Sequence, residues 1–184
     1  MGSDPHYSLL NRLAERAVTV HPNNEHLKRE STRSISSLVK SSLTPNQGFF
    51  DKPIPHFDIE RFMCARYARL SAKSTTGVVY VPAPAWNFAD ANVLVSTISG
   101  YKELYDAFMK GKLKFGESIV TFFNPVSSKN RVDRLVTHAA LFWSVDDKGI
   151  LDFVHQYDSD QVRENVVKFH SRGLIPRQIT SYKD

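Results

Sequence analysis

Thr137-His-Ala-Ala-Leu-Phe-Trp-Ser-Val-Asp-Asp-Lys-Gly-Ile-Leu-Asp-Phe-Val-His-Gln-Tyr157 is the stretch on which the fold turns. Two runs rich in apolar, β-branched and aromatic residues flank Asp146-Asp-Lys-Gly149, a cluster of turn formers, and this pattern predicts an antiparallel hairpin. A period of two places Leu151, Phe153, His155 and Tyr157 on one face of the second strand, and Asp152, Val154 and Gln156 on the other. Segments 118–123, 162–170 and 175–182 share this composition, with Asn124-Pro125, Asp158-Ser-Asp160 and Ser171-Arg-Gly173 as breaks between them. With the hairpin they predict a meander of roughly five antiparallel strands.

Upstream the periodicity is helical. Asp58-Ile-Glu-Arg-Phe-Met-Cys-Ala-Arg-Tyr-Ala-Arg-Leu70 repeats apolar positions near 3.6 residues, with Asp58 as the expected N-cap and Gly77 as the terminator. The expected inward stripe is Ile59, Phe62, Met63, Tyr67 and Leu70, with Cys64 at its edge. A short strand is expected at 78–81, a rigid loop at Pro82-Ala-Pro-Ala-Trp86 and a helix over 100–112. Residues 1–44 read as a polar helical appendage and 45–184 as the main domain. Helices first and a strand meander afterwards define an α+β class.

The chain has 184 residues, 41% hydrophobic and 23% charged, enough to bury a core without disulfides. No apolar run reaches ~18 residues, so no transmembrane helix is expected. The start, Met1-Gly-Ser-Asp-Pro-His6, has neither the basic region nor the apolar stretch of a signal peptide, and none is expected. The net charge of +5 is spread along the chain and favours anionic partners in general, without the concentrated basic stripe that marks a nucleic-acid binder. There is no Gly-rich phosphate loop, no CxxC and no HExxH, and the histidines outside the hairpin lack metal-like spacing. No cofactor or metal is expected.

Cys64 is the single cysteine. A cysteine attacks as thiolate, and a helix N-terminus or a nearby imidazolium favours that form. A histidine then takes the proton and later delivers it to a leaving amine. A third polar group holds the imidazole in one tautomer. His138 starts the first strand of the hairpin; His155 and Gln156 close the second, so antiparallel pairing brings them near it. Register decides between His155 and Gln156 as the orienting group.

The order of these segments resembles the NlpC-type cell-wall peptidases and the related cysteine, histidine-dependent (CHAP-like) amidohydrolases of the papain-like group. The features are a cysteine on a helix, then Phe115-Gly-Glu-Ser-Ile-Val-Thr-Phe-Phe123, then His138-Ala-Ala-Leu-Phe142, then Phe153-Val-His155. The resemblance spans residues 58–157. It implies a papain-like fold with the sheet packed on the cysteine helix, and a thiol peptidase or amidase acting on a peptidoglycan stem peptide or similar cell-wall amide. In that scheme Cys64 is the nucleophile, His138 the base, and His155 or Gln156 the orienter. A secreted or wall-directed protein would follow. Two features depart from the family: Met63 precedes the cysteine, and Asp58 as cap would set Cys64 a turn and a half into its helix. Trp86 and Arg131 are candidate substrate contacts, Arg131 in a basic loop over 124–135 suited to an anionic polymer.

Two other functions fit the same residues. The triad would equally serve acyl transfer of the transglutaminase kind. Alternatively the chain is a catalytically inactive interaction module, since a helical cysteine is ordinarily a small buried hydrophobe and a lone Trp a packing anchor.

Overall fold

The computed structural model describes residues 44–124 and 137–184. Residues 1–43 of the helical appendage expected over 1–44, and residues 125–135 of the basic loop expected over 124–135, Arg131 among them, lie outside these residues. The described chain is α+β, with a seven-stranded sheet in which every pairing is antiparallel.

Strands β1 (Gln47–Gly48), β2 (Val93–Thr97), β3 (Ile119–Phe123), β4 (His138–Val145), β5 (Leu151–Tyr157), β6 (Asp160–Asn165) and β7 (Ile175–Ser181) are ordered β2-β7-β3-β4-β5-β6, with β1 added to β4. The expected hairpin is β4–β5, with Phe142 opposite Phe153 and Leu141 opposite Val154. β2 and the two-residue β1 raise the count from five to seven. Segment 78–81 forms no strand; Tyr80 within it is buried, its hydroxyl shared between the carbonyls of Glu117 and Thr180.

Segment 162–170 is not one strand. β6 stops at Asn165, whose side-chain oxygen accepts from the N–H groups of Val167 and Lys168. That cap satisfies orphan donors at the start of the short helix Val166–Ser171, and local hydrogen bonding there overrides the β-branched pair Val166-Val167.

Among the described residues four α-helices cover the sheet: α1 (Cys64–Thr76), α2 (Phe88–Ala91), α3 (Tyr101–Met109) and α4 (Val166–Ser171). Every residue of β4 is buried, because helices lie on both of its faces. Ala139, Leu141 and Trp143 pack with Tyr67 and Ala68 of α1. Ala140 and Phe142 pack with Phe153, Leu104 of α3 and Phe169 of α4. A fully buried Leu or Phe contributes about 1.5–3 kcal/mol, so these two layers hold the sheet between α1 and the α3–α4 side.

Helix α1 begins later than its periodicity suggests. Asp58 is not its cap; the cap is Met63, which offers no side-chain hydrogen bond, and Cys64 is the first helical residue. Phe62 takes a left-handed φ of 64°. Tertiary contacts impose this. The Phe62 N–H donates to the Asp158 carbonyl at 3.0 Å, and Arg61 forks onto the Asp158 carboxylate at 2.6 and 2.8 Å. Gln161 makes reciprocal bonds with the backbone of Phe57, and Gln156 Nε2 donates to the Glu60 carbonyl at 2.7 Å. Residues 57–62 are thereby tied to the β5–β6 turn and cannot coil. The expected stripe shifts accordingly: Phe62 and Met63 are exposed, and Cys64, Ala65, Tyr67, Ala68, Ser71 and Ala72 face the sheet. Gly77 ends the helix in a left-handed cap, its N–H donating to the Lys73 carbonyl.

Candidate active site

Cys64 sits at the end of the sheet where β4 starts. Burial pushes its thiol pKa up; the backbone N–H groups of Ala139, Ala65 and Cys64 itself oppose that by stabilising the thiolate. The helix N-terminus therefore acts on the sulfur directly, contrary to the position deep in the helix that an Asp58 cap implied. Residues before β3 are fixed by a close approach: Gly116 has φ of 70°, and a Cβ there would lie 2.5 Å from the Phe49 ring.

His138 is the first residue of β4 and is buried. By alternation it shares the face of Ala140 and Phe142, and its ring lies against Phe122 and Phe169. Its Nε2 is 2.8 Å from His155 Nδ1. His155 is wholly buried, and its Nε2 is 2.9 Å from Glu164 Oε1. Arg172 donates to both oxygens of Glu164, at 2.9 and 3.2 Å, and its guanidinium stacks 4.0 Å from the Tyr157 ring centroid. Four side chains thus form one hydrogen-bonded line, Arg172–Glu164–His155–His138.

Protonation along this line follows from the acceptor at its end. Burial works to raise the Glu164 pKa, but the hydrogen bonds from His155 and Arg172 outweigh it, and the carboxyl stays below its ordinary value. An ionised carboxylate only accepts, so His155 Nε2 carries a proton. Burial holds His155 below its ordinary value despite Glu164, so the ring is neutral and its Nδ1 accepts. His138 Nε2 is then the donor. Burial, His155 and Arg172 together hold His138 well below the ordinary histidine value, which makes its Nδ1 an unprotonated acceptor.

Of the two candidate orienters, His155 is the one bonded to His138. Gln156 points to the other face: its amide donates to the carbonyls of Glu60 and Asp158 and accepts from Gln161 Nε2. It anchors the chain before α1. Glu164 and Arg172 escaped the sequence reading. The only signal for them was Glu164 at alternate spacing from Val162, on a segment read as an apolar strand.

Cys64 and His138 line one cavity of 370 Å³, together with Asn124, Gln156, Tyr157 and Leu174. No hydrogen bond joins the sulfur to either ring nitrogen in this structure. Cys64 also lines a second groove of 450 Å³ with Trp86, which is 60% exposed. Among the described residues no group of three or more His, Cys, Asp or Glu is arranged to hold a metal ion, and no helix is long and apolar enough to cross a membrane.

No protein-family model matches the chain, and neither a curated protein nor a solved structure matches it.

Proposed function

We propose that the chain is a cysteine hydrolase of amide bonds with a papain-like, NlpC-type arrangement. The observation that carries this reading is the buried line from Arg172 to His138, which leaves a neutral imidazole with Nδ1 as acceptor on a residue that lines one cavity with the single cysteine.

The resting pair is thiol and neutral imidazole. As Sγ attacks the carbonyl carbon, its proton passes to His138 Nδ1, the S–C bond forms and the carbonyl oxygen takes up negative charge. The N–H groups at the start of α1 are suited to stabilise that charge. His138 then protonates the amine, the C–N bond breaks, and an acyl-thioester remains. Water attacks the thioester with His138 again as base, releasing the acid and the thiol. His155 keeps Nε2 of His138 engaged throughout; Glu164 and Arg172 are positioning residues behind it. The resemblance over residues 58–157 makes a peptidoglycan stem peptide or similar cell-wall amide the substrate, and the net charge of +5 suits an anionic wall.

A catalytically inactive interaction module is the second reading, favoured by the missing sulfur–imidazole hydrogen bond and the raised thiol pKa. Release of new amines from purified muropeptides, compared between the native chain and Cys64→Ala, separates the two. Release that depends on Cys64 supports the hydrolase. Equal release from both proteins, or none from either, sinks it.

A further inference from the structure

The groove that Cys64 shares with Trp86 opens among large apolar side chains that the fold leaves in water. Phe62, Met63 and Trp86 line it and are all exposed. Val79 and Val81, just before its prolines, are exposed as well, on either side of buried Tyr80. Single exposed apolar residues need no explanation, but these adjoin one groove. Their backbones are also fixed. The Phe62 N–H is tied to the Asp158 carbonyl at 3.0 Å in a left-handed φ of 64°, which an asparagine or a glycine would adopt more cheaply. That strained backbone instead carries a phenyl ring that is 72% exposed. The Val81 N–H donates to Asn92 Oδ1 at 2.8 Å, and its carbonyl accepts from Asn92 Nδ2 at 3.1 Å. Trp86 sits in the 3-10 turn Ala85–Asn87, closed by the Asn87 N–H on the Pro84 carbonyl at 3.0 Å.

Cations flank the same surface. Arg66, Arg69 and Lys73 recur at spacings of three and four residues and so run along one side of α1, a helix without a single acidic residue. Arg66 and Arg69 line the groove, and no carboxylate does. Among the described residues none of the three pairs with a carboxylate, whereas Arg61, Arg163 and Arg172 all do. An occupant must therefore offer negative charge and apolar depth side by side. A soluble polyanion supplies only the first. An anionic bilayer supplies both, headgroups for the cations and acyl chains just beneath for the rings. Tryptophan and arginine both suit that boundary, each with an apolar body and a polar end. We infer that this surface docks on an anionic lipid bilayer, with Phe62, Met63 and Trp86 entering the acyl boundary and Arg66, Arg69 and Lys73 on the headgroups. A few side chains make such a contact peripheral and reversible. Cys64, which lines the groove, then opens towards the lipid.

The test sediments the full chain with vesicles of phosphatidylcholine, either pure or with a third of phosphatidylglycerol. The chain should bind the anionic vesicles, hardly touch the neutral ones, and come off as salt is raised. Arg66→Gln, Arg69→Gln and Lys73→Gln together should weaken binding about a hundredfold, since each cation near an anionic surface contributes roughly fivefold. Phe62→Asn, which suits the left-handed backbone, combined with Trp86→Ala should weaken it about tenfold or more. Insertion is read on the native protein without any substitution. Vesicles brominated on their acyl chains should quench its tryptophan fluorescence, and Trp86→Phe should abolish the quenching, because Trp143 is buried. Binding to neither vesicle overturns the lipid contact and leaves the surface to a protein partner. Binding without quenching overturns it too, as a purely electrostatic contact. So does binding that both sets of substitutions leave unchanged, which puts the contact elsewhere on the chain.

Discussion

His155 Nε2 lies 2.9 Å from Glu164 Oε1 while its Nδ1 lies 2.8 Å from His138 Nε2, so one buried ring passes the preference of a carboxylate to a second ring. Glu164→Gln tests that transmission. Arg172 would claim the single amide oxygen, leaving the amide N–H₂ to face His155. His155 Nε2 would then have to accept, both rings would change tautomer, and His138 Nδ1 would carry a hydrogen instead of a lone pair. The expected result is a loss of amide cleavage of up to about ten-thousandfold, the size seen when a catalytic imidazole is held in the wrong tautomer. The imidazole nitrogen shifts in ¹⁵N spectra should exchange donor and acceptor positions, which reports the tautomer change directly, and the loss of cleavage then ties it to function.

The pH dependence of Cys64 reactivity has a defined sign. Burial moves the thiol above its ordinary value of 9.0, against the pull of the N–H groups around it. Iodoacetamide should therefore label the free protein slowly at neutral pH, with the rate still climbing above pH 9. In the proposed hydrolase, substrate turnover should not follow that curve, since there His138 would take the proton during attack. Its acid limb should lie below pH 6.5, because His138 and His155 are both held below 6.5. An acid limb at or above pH 6.5 in the kcat/KM profile would contradict this arrangement.

Asp152 sets a second pH dependence, this one in stability. Burial, and then the Asp146 charge, raise its pKa from 3.8 to about 7, against the pull of Arg163 at 3.6 Å and Ser144 at 3.2 Å. A carboxyl raised in the folded state costs stability as pH rises from 3.8 towards 7, and the full cost is present above that. Asp152→Asn should thus stabilise the protein at pH 8 by about 1–3 kcal/mol, with the gain vanishing near pH 4. The two histidines act in the opposite sense. Held below 6.5, their contribution is whole above that pH and is lost as pH falls beneath it. Urea unfolding at pH 4, 6 and 8 resolves both trends.

Gly116→Ala should destabilise by about 1–3 kcal/mol or more, through a left-handed φ of 70° and a Cβ 2.5 Å from the Phe49 ring. The Gly116 N–H also donates to the Phe142 carbonyl at 2.7 Å, and its own carbonyl accepts from Thr76 Oγ1, so the strain cannot relax by moving the turn. Thermal unfolding measures it; Gly111→Ala, also at positive φ but in open space, supplies the comparison that separates backbone strain from the clash.

Much of the architecture was legible because its signals are local. The β4–β5 hairpin follows from alternation about Asp146-Asp-Lys-Gly149, and α3 from the spacing of Tyr101, Leu104 and Tyr105. What failed to show was set by partners far along the chain. β2 is an edge strand with Val93, Leu94 and Val95 exposed, and only its pairing with β7 makes it a strand. The Asn165 cap broke a β-like run into strand and helix. Glu164 belongs to the site only because β6 pairs with β5, Val162 standing opposite His155, and because α4 returns Arg172 beside it.

The sequence by itself determined the α+β class, the hairpin that carries His138 and His155, and the chemistry open to a single cysteine near a histidine. These rest on periodicity and residue type, which act over a few neighbours. The tertiary structure decided where α1 begins, and hence that Cys64 meets the helix N-terminus. The ties from Gln156, Gln161 and Asp158 to residues 57–62 prevent coiling that local propensity would allow. It also decided between His155 and Gln156, because register and face determine which side chain reaches a ring seventeen residues away, and composition does not encode them.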